Sequence, residues 1–206
     1  MAKVYSLEGI VPVIDPSAFV HADAVLIGDV IVGPGCYIGP CACLRGDYGR
    51  IRLEAGVNIQ DTCVIHSFPE VDVIIEKNGH IGHGAIIHGC MVKKNAMVGM
   101  NCVVMDNAII GQSSLVAASS FVKAGMRVPP FTLVAGIPAK VMRKLTEEEI
   151  AWKSEATALY QRLAVRSMTM MKAVEPLACQ EQNRYRVSVS SADLVSLDIK
   201  KSGKTR

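Results

Sequence analysis

The sequence predicts an all-β fold, a parallel β-helix of triangular section followed by one C-terminal α-helix. Three observations carry that expectation. From Val92 to Val122 every sixth residue is aliphatic: Val92, Val98, Val104, Ile110, Val116 and Val122. An upstream block keeps the same step through Val20, Leu26, Val32, Ile38 and Leu44. Half of the residues are hydrophobic yet only 5% are aromatic, so the core is built from Val, Ile, Leu, Ala and Met, which suits thin stacked coils.

Within each six-residue unit the aliphatic side chain points inward and a small residue stands two positions before it. Ala24, Cys36, Ala42, Cys90, Ala96, Cys102, Ala108, Ser114 and Ser120 share that small-residue phase. Gly often follows the aliphatic, as in Val32-Gly33, Ile38-Gly39, Val98-Gly99 and Ile110-Gly111, and relieves the corner where the backbone bends. Three such units close one turn, so the repeat over roughly residues 10 to 125 implies about six coils.

Two breaks interrupt the repeat. After Arg45-Gly46-Asp47-Tyr48-Gly49 the aliphatics shift to Leu53, Ile59 and Ile65. Between Ser67 and Gly79 the pattern lapses, as expected of a loop projecting from the coil. Breaks in a strict repeat are where functional sites are expected. Arg127-Val128-Pro129-Pro130 ends the coils and Gly136-Ile137-Pro138-Ala139-Lys140 turns the chain. Thr146 with Glu149 reads as a capping box, and no Gly or Pro follows before Pro176, which gives one helix over about 147–172. Ile150, Leu159, Leu163 and Val165 supply it with an apolar stripe. The expected domains are a β-helix over 1–130, an exit turn with the helix over 131–175, and a polar tail over 176–206 with a basic end at Lys200, Lys201, Lys204 and Arg206.

The net charge of +3 is too small to argue for nucleic acid or an acidic membrane. No apolar run reaches the length of a membrane span and no signal peptide opens the chain. The seven cysteines match no zinc-ribbon spacing. They read as small packers in a reducing cytoplasm, the expected compartment.

Three histidines carry the chemistry. His66 and His88 are twenty-two residues apart, so a loop of about four extra residues in an eighteen-residue coil stacks them on one edge. His83 falls on a neighbouring corner, beyond reach of the same metal within one chain. A homotrimer resolves this, one subunit offering His66 and His88 and its neighbour His83. Three imidazoles leave zinc a position for water, the catalytic pattern, and zinc brings that water's pKa toward neutrality. His80 takes the inward phase of Ile74 and Ile86, as a structural or supporting histidine. Any one histidine alone reads as readily as a surface residue.

Arg45-Gly46-Asp47, Asn58-Ile59-Gln60-Asp61, Ile65-His66 and Gly82-His83-Gly84-Ala85-Ile86-Ile87-His88-Gly89 follow in order through the prism. This series resembles the γ-class carbonic anhydrase family of hexapeptide-repeat proteins. The resemblance implies left-handed coils and a trimer with zinc held by His66, His83 and His88, iron(II) or cobalt(II) being possible substitutes. It implies an ion pair of Arg45 with Asp47 across the subunit contact. It places Gln60 beside the metal-bound water, with Asn58 and Asp61 in the surrounding polar network. The chain departs from the family where its proton-shuttle glutamates stand: Tyr48 takes the first place, and in the loop Ser67-Phe68-Pro69-Glu70 only Glu70 is acidic.

Gly9–Ile14, Asn78–His83, Phe121–Gly125 and the pairs Trp152-Lys153 and Tyr160-Gln161 are similar to a narrower subgroup of phenylacetate-degradation and carnitine-operon proteins. By that likeness the expected function is a zinc-dependent thioesterase on acyl-CoA intermediates of phenylacetate-type catabolism, in which Gln60 holds the developing tetrahedral species. A thiolate leaves without strong acid catalysis, which fits the missing glutamates. The alternatives are a carbonic anhydrase acting on carbon dioxide and bicarbonate, a hexapeptide acyltransferase, and a non-catalytic stimulator of carnitine-pathway enzymes. Lys77, Lys93, Lys94, Lys123 and Arg127 are candidates for the phosphates of coenzyme A.

Overall fold

A computed structural model describes residues 2–187. Its strands wind into a left-handed parallel β-helix of about seven turns, closed by one C-terminal helix. The extra turn relative to the sequence reading comes from both ends. Lys3–Tyr5 already pairs in parallel with Val25–Ile27. Thr132–Gly136 pairs in parallel with Leu115–Val116 before folding back antiparallel on Ala139–Lys144, so the coil continues past Pro130. The basic end of the expected tail lies outside the described residues.

One inward ladder runs through Val20, Ile38, Ile59, Ile81, Val98, Val116 and Val134. Its members from Ile38 onward are fully buried, and each such aliphatic side chain stabilises the prism by about 1.5–3 kcal/mol. Its numbering gives the coil lengths: eighteen residues to Ile38, then twenty-one, twenty-two, seventeen, eighteen and eighteen. The three irregular coils are consecutive. The first carries three extra residues in the strand Cys43–Leu53, between Gly46 and Ile51 opposite Gly28–Val30. The second carries the loop after His66. The third lacks one residue after Ile87, whose next inward partner in sequence is Val92.

That missing residue corrects the placement of His80. Counting back by sixes from Val92 lands on Ile86, His80 and Ile74, whereas the inward residues are Ile75, Ile81 and Ile87. His80 points away from the prism axis and is buried from outside, at 6% exposure. In the regular coils the turn residue is left-handed, with φ of 51° to 58° at Asn95, Asn101, Asn107, Ser113 and Ser119. Asn tolerates this conformation through local hydrogen bonding.

The covering element is α1, Glu147–Met170. Thr146 accepts from the Glu149 N–H and the Glu149 carboxylate accepts from the Thr146 N–H, the reciprocal cap expected from sequence. Arg143 holds the same carboxylate with two bonds of 2.8 and 2.9 Å, fastening the helix start to the hairpin. The buried stripe of α1 is Glu149, Lys153, Thr157, Ala164 and Ser167. It is mostly polar, and Val165 of the expected apolar stripe is 59% exposed. The cause lies in the surface beneath. The outward row under the helix reads Phe19, Tyr37, Asn58, His80, Met97, and its middle members need hydrogen-bond partners. Only at the far end does the contact turn apolar, where Phe19 and Tyr37 stack at 5.4 Å and pack on Ala164. No helix among the described residues is long and apolar enough to cross a membrane.

Candidate functional site

His66 and His88 are direct neighbours in register on adjacent strands, Val64–His66 and Ile86–His88. Their rings present His66 Nδ1 to His88 Nε2 at 3.1 Å. The other nitrogen of each ring is taken. His66 Nε2 meets Asp47 Oδ1 at 2.9 Å, and His88 Nδ1 meets Asp106 Oδ1 at 2.5 Å. A carboxylate only accepts, so each imidazole donates there and, in its neutral form, keeps its lone pair on the nitrogen facing the other ring. In that form two lone pairs face each other. Two ligands about 2.0–2.1 Å from a tetrahedral zinc stand about 3.3 Å apart, so the pair fits a shared cation. Carboxylates holding the far nitrogens are the usual support of such ligands.

Backbone choices build this corner. Gly89, with φ of +50°, leaves room for Asp106: a Cβ there would lie 2.6 Å from its Oδ1. Gly49 lets the loop Phe68–Val71 settle on the strand Cys43–Leu53, because a Cβ would collide with the Val71 carbonyl. That contact brings Phe68 edge-on to His88 at 5.0 Å, and Tyr48 lies 5.4 Å from His66. Both rings are exposed and wall the pair. Glu70 stands at the loop tip with φ of 63° and makes no hydrogen bond or ion pair among the described residues. Within the chain Arg45 and Asp47 pair with each other at 2.9 Å.

His83 occupies a different corner. Its Nδ1 meets Asp61 Oδ2 at 2.9 Å, and its Nε2 receives the Tyr160 hydroxyl at 3.3 Å. Burial first, then Asp61, pushes the Tyr160 phenol up to about 12, so it stays protonated as a donor. Within one chain, no three His, Cys, Asp or Glu side chains among the described residues gather in ligand geometry. The structure therefore places His66 and His88 on one corner and His83, with Gln60 and Asp61, on another.

Gln60 is locked, and the lock can be followed atom by atom. The Lys153 carbonyl can only accept, so the Thr157 hydroxyl donates to it at 3.2 Å. Thr157 Oγ1 then accepts from His80 Nδ1–H at 3.2 Å. His80 Nε2 keeps a lone pair and accepts from the Gln60 amide at 2.7 Å. The second amide hydrogen goes to Asn58 Oδ1 at 3.0 Å, and Gln60 Oε1 accepts the His83 N–H at 3.2 Å. Burial first, then the nearby Lys153 amine, holds His80 neutral, its pKa down to about 3. In this arrangement Gln60 is left with acceptor capacity alone, which suits it to orient a water rather than to donate to an oxyanion. Asn58 Nδ2 is buried without a partner among the described residues.

Lys153, only 3% exposed, donates to the Asn78 carbonyl and Asn95 Oδ1, both at 2.8 Å, and burial pushes its amine down to about 7. Lys93, a candidate for coenzyme A phosphate, is paired with Glu76 at 2.8 Å. Cys36, Cys63, Cys90 and Cys102 are buried packers, and burial raises each thiol pKa. Sequence reasoning missed Asp106, Thr157 and Tyr160. Asp106 is eighteen residues beyond His88, one coil on, and that spacing was its only signal.

The family described as bacterial transferase hexapeptide (six repeats) matches residues 12–46. The carnitine operon protein CaiE of Salmonella dublin is 55% identical over 183 residues, covering 89% of this chain and 92% of that protein. The chain belongs to the CaiE family of hexapeptide-repeat proteins. Two crystal structures resemble this CaiE-family chain. A Bacillus cereus protein called a "putative acetyltransferase" is 34% identical with a TM-score of 0.81, over 82% of this chain and 99% of that one. A hexapeptide transferase family protein from Anaplasma phagocytophilum is 38% identical with a TM-score of 0.77, over 79% of this chain and 96% of that one. These descriptions side with the acyltransferase and carnitine-operon alternatives rather than with a zinc thioesterase or a carbonic anhydrase.

Proposed function

We propose that this CaiE-family protein moves the acyl group of acyl-CoA thioesters in a route of the carnitine type, at a metal centre completed between copies of the chain in a homotrimer. The observation that carries the reading is the 3.1 Å approach of two imidazoles whose far nitrogens are each held by a carboxylate. His83 of a neighbouring copy is the third ligand, and zinc, iron(II) or cobalt(II) suits three imidazoles. A second copy also has a surface to cover. Val64, Ile86, Val103 and Phe121 form a registered outward row beside the two histidines, and Val64 and Ile86 are exposed in the single chain.

A cation held by His66, His88 and a neighbouring copy's His83 would supply Lewis acidity for a thioester carbonyl and ease the ionisation of water. Asp47 and Asp106 hold the two imidazoles in the ligating tautomer. Gln60 Oε1, fixed through Asn58 and His80, accepts a hydrogen bond from the attacking water and aims it. Tyr48 and Phe68 screen the pair from bulk solvent. With water as acceptor the reaction is thioester hydrolysis. A second reading is transfer to an amine or alcohol, favoured by the names of the relatives and by the contacts of His83, whose ring Asp61 orients with its Nε2 toward the Tyr160 hydroxyl.

The test is an acyl-CoA panel offered to anaerobically purified, metal-quantified protein, with and without carnitine as acceptor, beside His66→Ala and with carbon dioxide hydration in parallel. Metal-dependent thioester cleavage lost in His66→Ala supports the proposal. Transfer retained in His66→Ala but lost in His83→Ala moves the reading to the transferase. Hydration alone restores the anhydrase, and no activity from metal-loaded protein refutes an enzyme of this class.

A further inference from the structure

A cleft of about 380 Å³ lies between α1 and the prism, apart from the His66–His88 corner. Met97, Leu115, Trp152 and Leu159 form its body, and Gln60, His83 and Tyr160 stand in its wall. The polar side chains at its margin have partners of their own, Gln60 donating to Asn58 and paired with His80, and Tyr160 with His83, and the side chains of its body are mostly apolar. Its volume falls at the small end of ligand pockets: room for an acyl chain, none for a nucleotide.

We infer that this cleft is the acyl-binding site, and that it takes an uncharged, apolar acyl group whose carbonyl end lies toward His83 and Gln60. The inference rests on the acyl-CoA reading above and adds the substrate class to it. Continuity carries the placement, since His83 belongs both to the proposed centre and to the cleft wall. Charge carries the class. No carboxylate lines the cleft among the described residues. The Lys153 amine lies against the same helix turn as Trp152, held inward by Asn78 and Asn95. A trimethylammonium-bearing acyl group, the chemistry that a carnitine-type route suggests, would meet no carboxylate counter-ion in this recess, only the faces of Trp152 and Tyr160.

Trp152 is the single tryptophan of the chain, so its fluorescence reports occupancy without any turnover. The probe is a series of S-alkyl-CoA thioethers, which present the chain but cannot be cleaved. The titration uses the trimeric protein and, separately, His66→Ala. The expected result is a saturable Trp152 response to S-hexyl- and S-octyl-CoA and none to CoA itself. Each added methylene should tighten binding about fourfold until the cleft is full. Ala156→Phe, which projects a ring into the cleft, should weaken S-octyl-CoA at least about tenfold; Leu159→Ala, which enlarges it, should move the optimum to a longer chain. Retention of the response in His66→Ala separates this inference from the metal reading, because the cleft stands without the metal. Chain-length-independent binding, or wild-type affinity in Ala156→Phe with the fold intact by circular dichroism, overturns the assignment. Equal or tighter binding of the trimethylammonio-alkyl thioether overturns the uncharged class.

Discussion

Replacing Asp106 by Asn tests the reading of the histidine pair with little change of shape. The wild-type carboxylate holds His88 Nδ1 at 2.5 Å and its side chain is 13% exposed, so the bond is charge-assisted and largely shielded from water. It fixes His88 Nε2 as the lone-pair nitrogen. An asparagine can offer either its oxygen or its NH₂, and the NH₂ orientation moves the ring proton to the nitrogen that must ligate. Loss of such a supporting carboxylate weakens metal binding about ten- to a hundredfold, which is about 1.4–2.8 kcal/mol. The assay is competition for zinc against a chromophoric chelator, with apo-protein of checked oligomeric state. Asp47→Asn, acting on the other imidazole, should fall in the same range. Affinity within twofold of wild type in both variants would refute the argument that the carboxylates set the tautomers. So would a wild-type protein that takes up no divalent cation.

Other expectations follow from the same geometry. Mixing His66→Ala with His83→Ala subunits, each inactive alone, should restore part of the metal content and activity in mixed trimers; no recovery after exchange would refute a site shared between copies. Lys153 titrates near 7 in the fold and near 10.5 unfolded, so between those values the unfolded chain binds more protons. Stability therefore rises with pH, by up to about 1.4 kcal/mol per unit. Cys36 and Cys63, raised to about 11, act in the opposite sense above their ordinary value of 9.0. Denaturant melts from pH 7 to 9 should thus show a slope that Lys153→Met flattens, and an equal slope in both proteins would contradict the burial of that amine. Thr157→Val should leave the His80 Nδ1–H without an acceptor, at a cost of about 1–3 kcal/mol. It should also lower activity beyond what the loss of stability explains, since Gln60 is then free to turn.

The prism was legible because its signal is repeated: each turn sets an aliphatic side chain in the same inward place, and Val92 to Val122 shows this without exception. The His66–His88 stack was legible for the same reason, as coil length converts sequence distance into space. His80 was not. A single missing residue after Ile87 shifts the phase, and a period read from the regular coils carries the error backward. The buried stripe of α1 was hidden for a different reason. Its polarity answers to Asn78, His80 and Asn95, which come from other coils, and nothing in the helix sequence says which of its faces meets them. Asp106 escaped because an acidic residue at a coil corner looks the same whether it faces water or an imidazole.

The polar seam beneath α1 also solves a problem of pitch. Successive coils of a β-helix rise by about 4.8 Å, one strand spacing, and a helix climbs 1.5 Å per residue. A step of three or four helical residues therefore nearly matches one coil. Along α1, Lys153 reaches Asn95, Thr157 reaches His80, Tyr160 packs on Tyr37, and Ala164 lies at Phe19 and Tyr37. A purely greasy helix on such a ruled surface could slide one notch and find an almost equivalent seat. Hydrogen bonds to individual coils make the notches unequal. The seam is a key cut for one position, and the position it selects sets Trp152 and Tyr160 against the coil that bears His83.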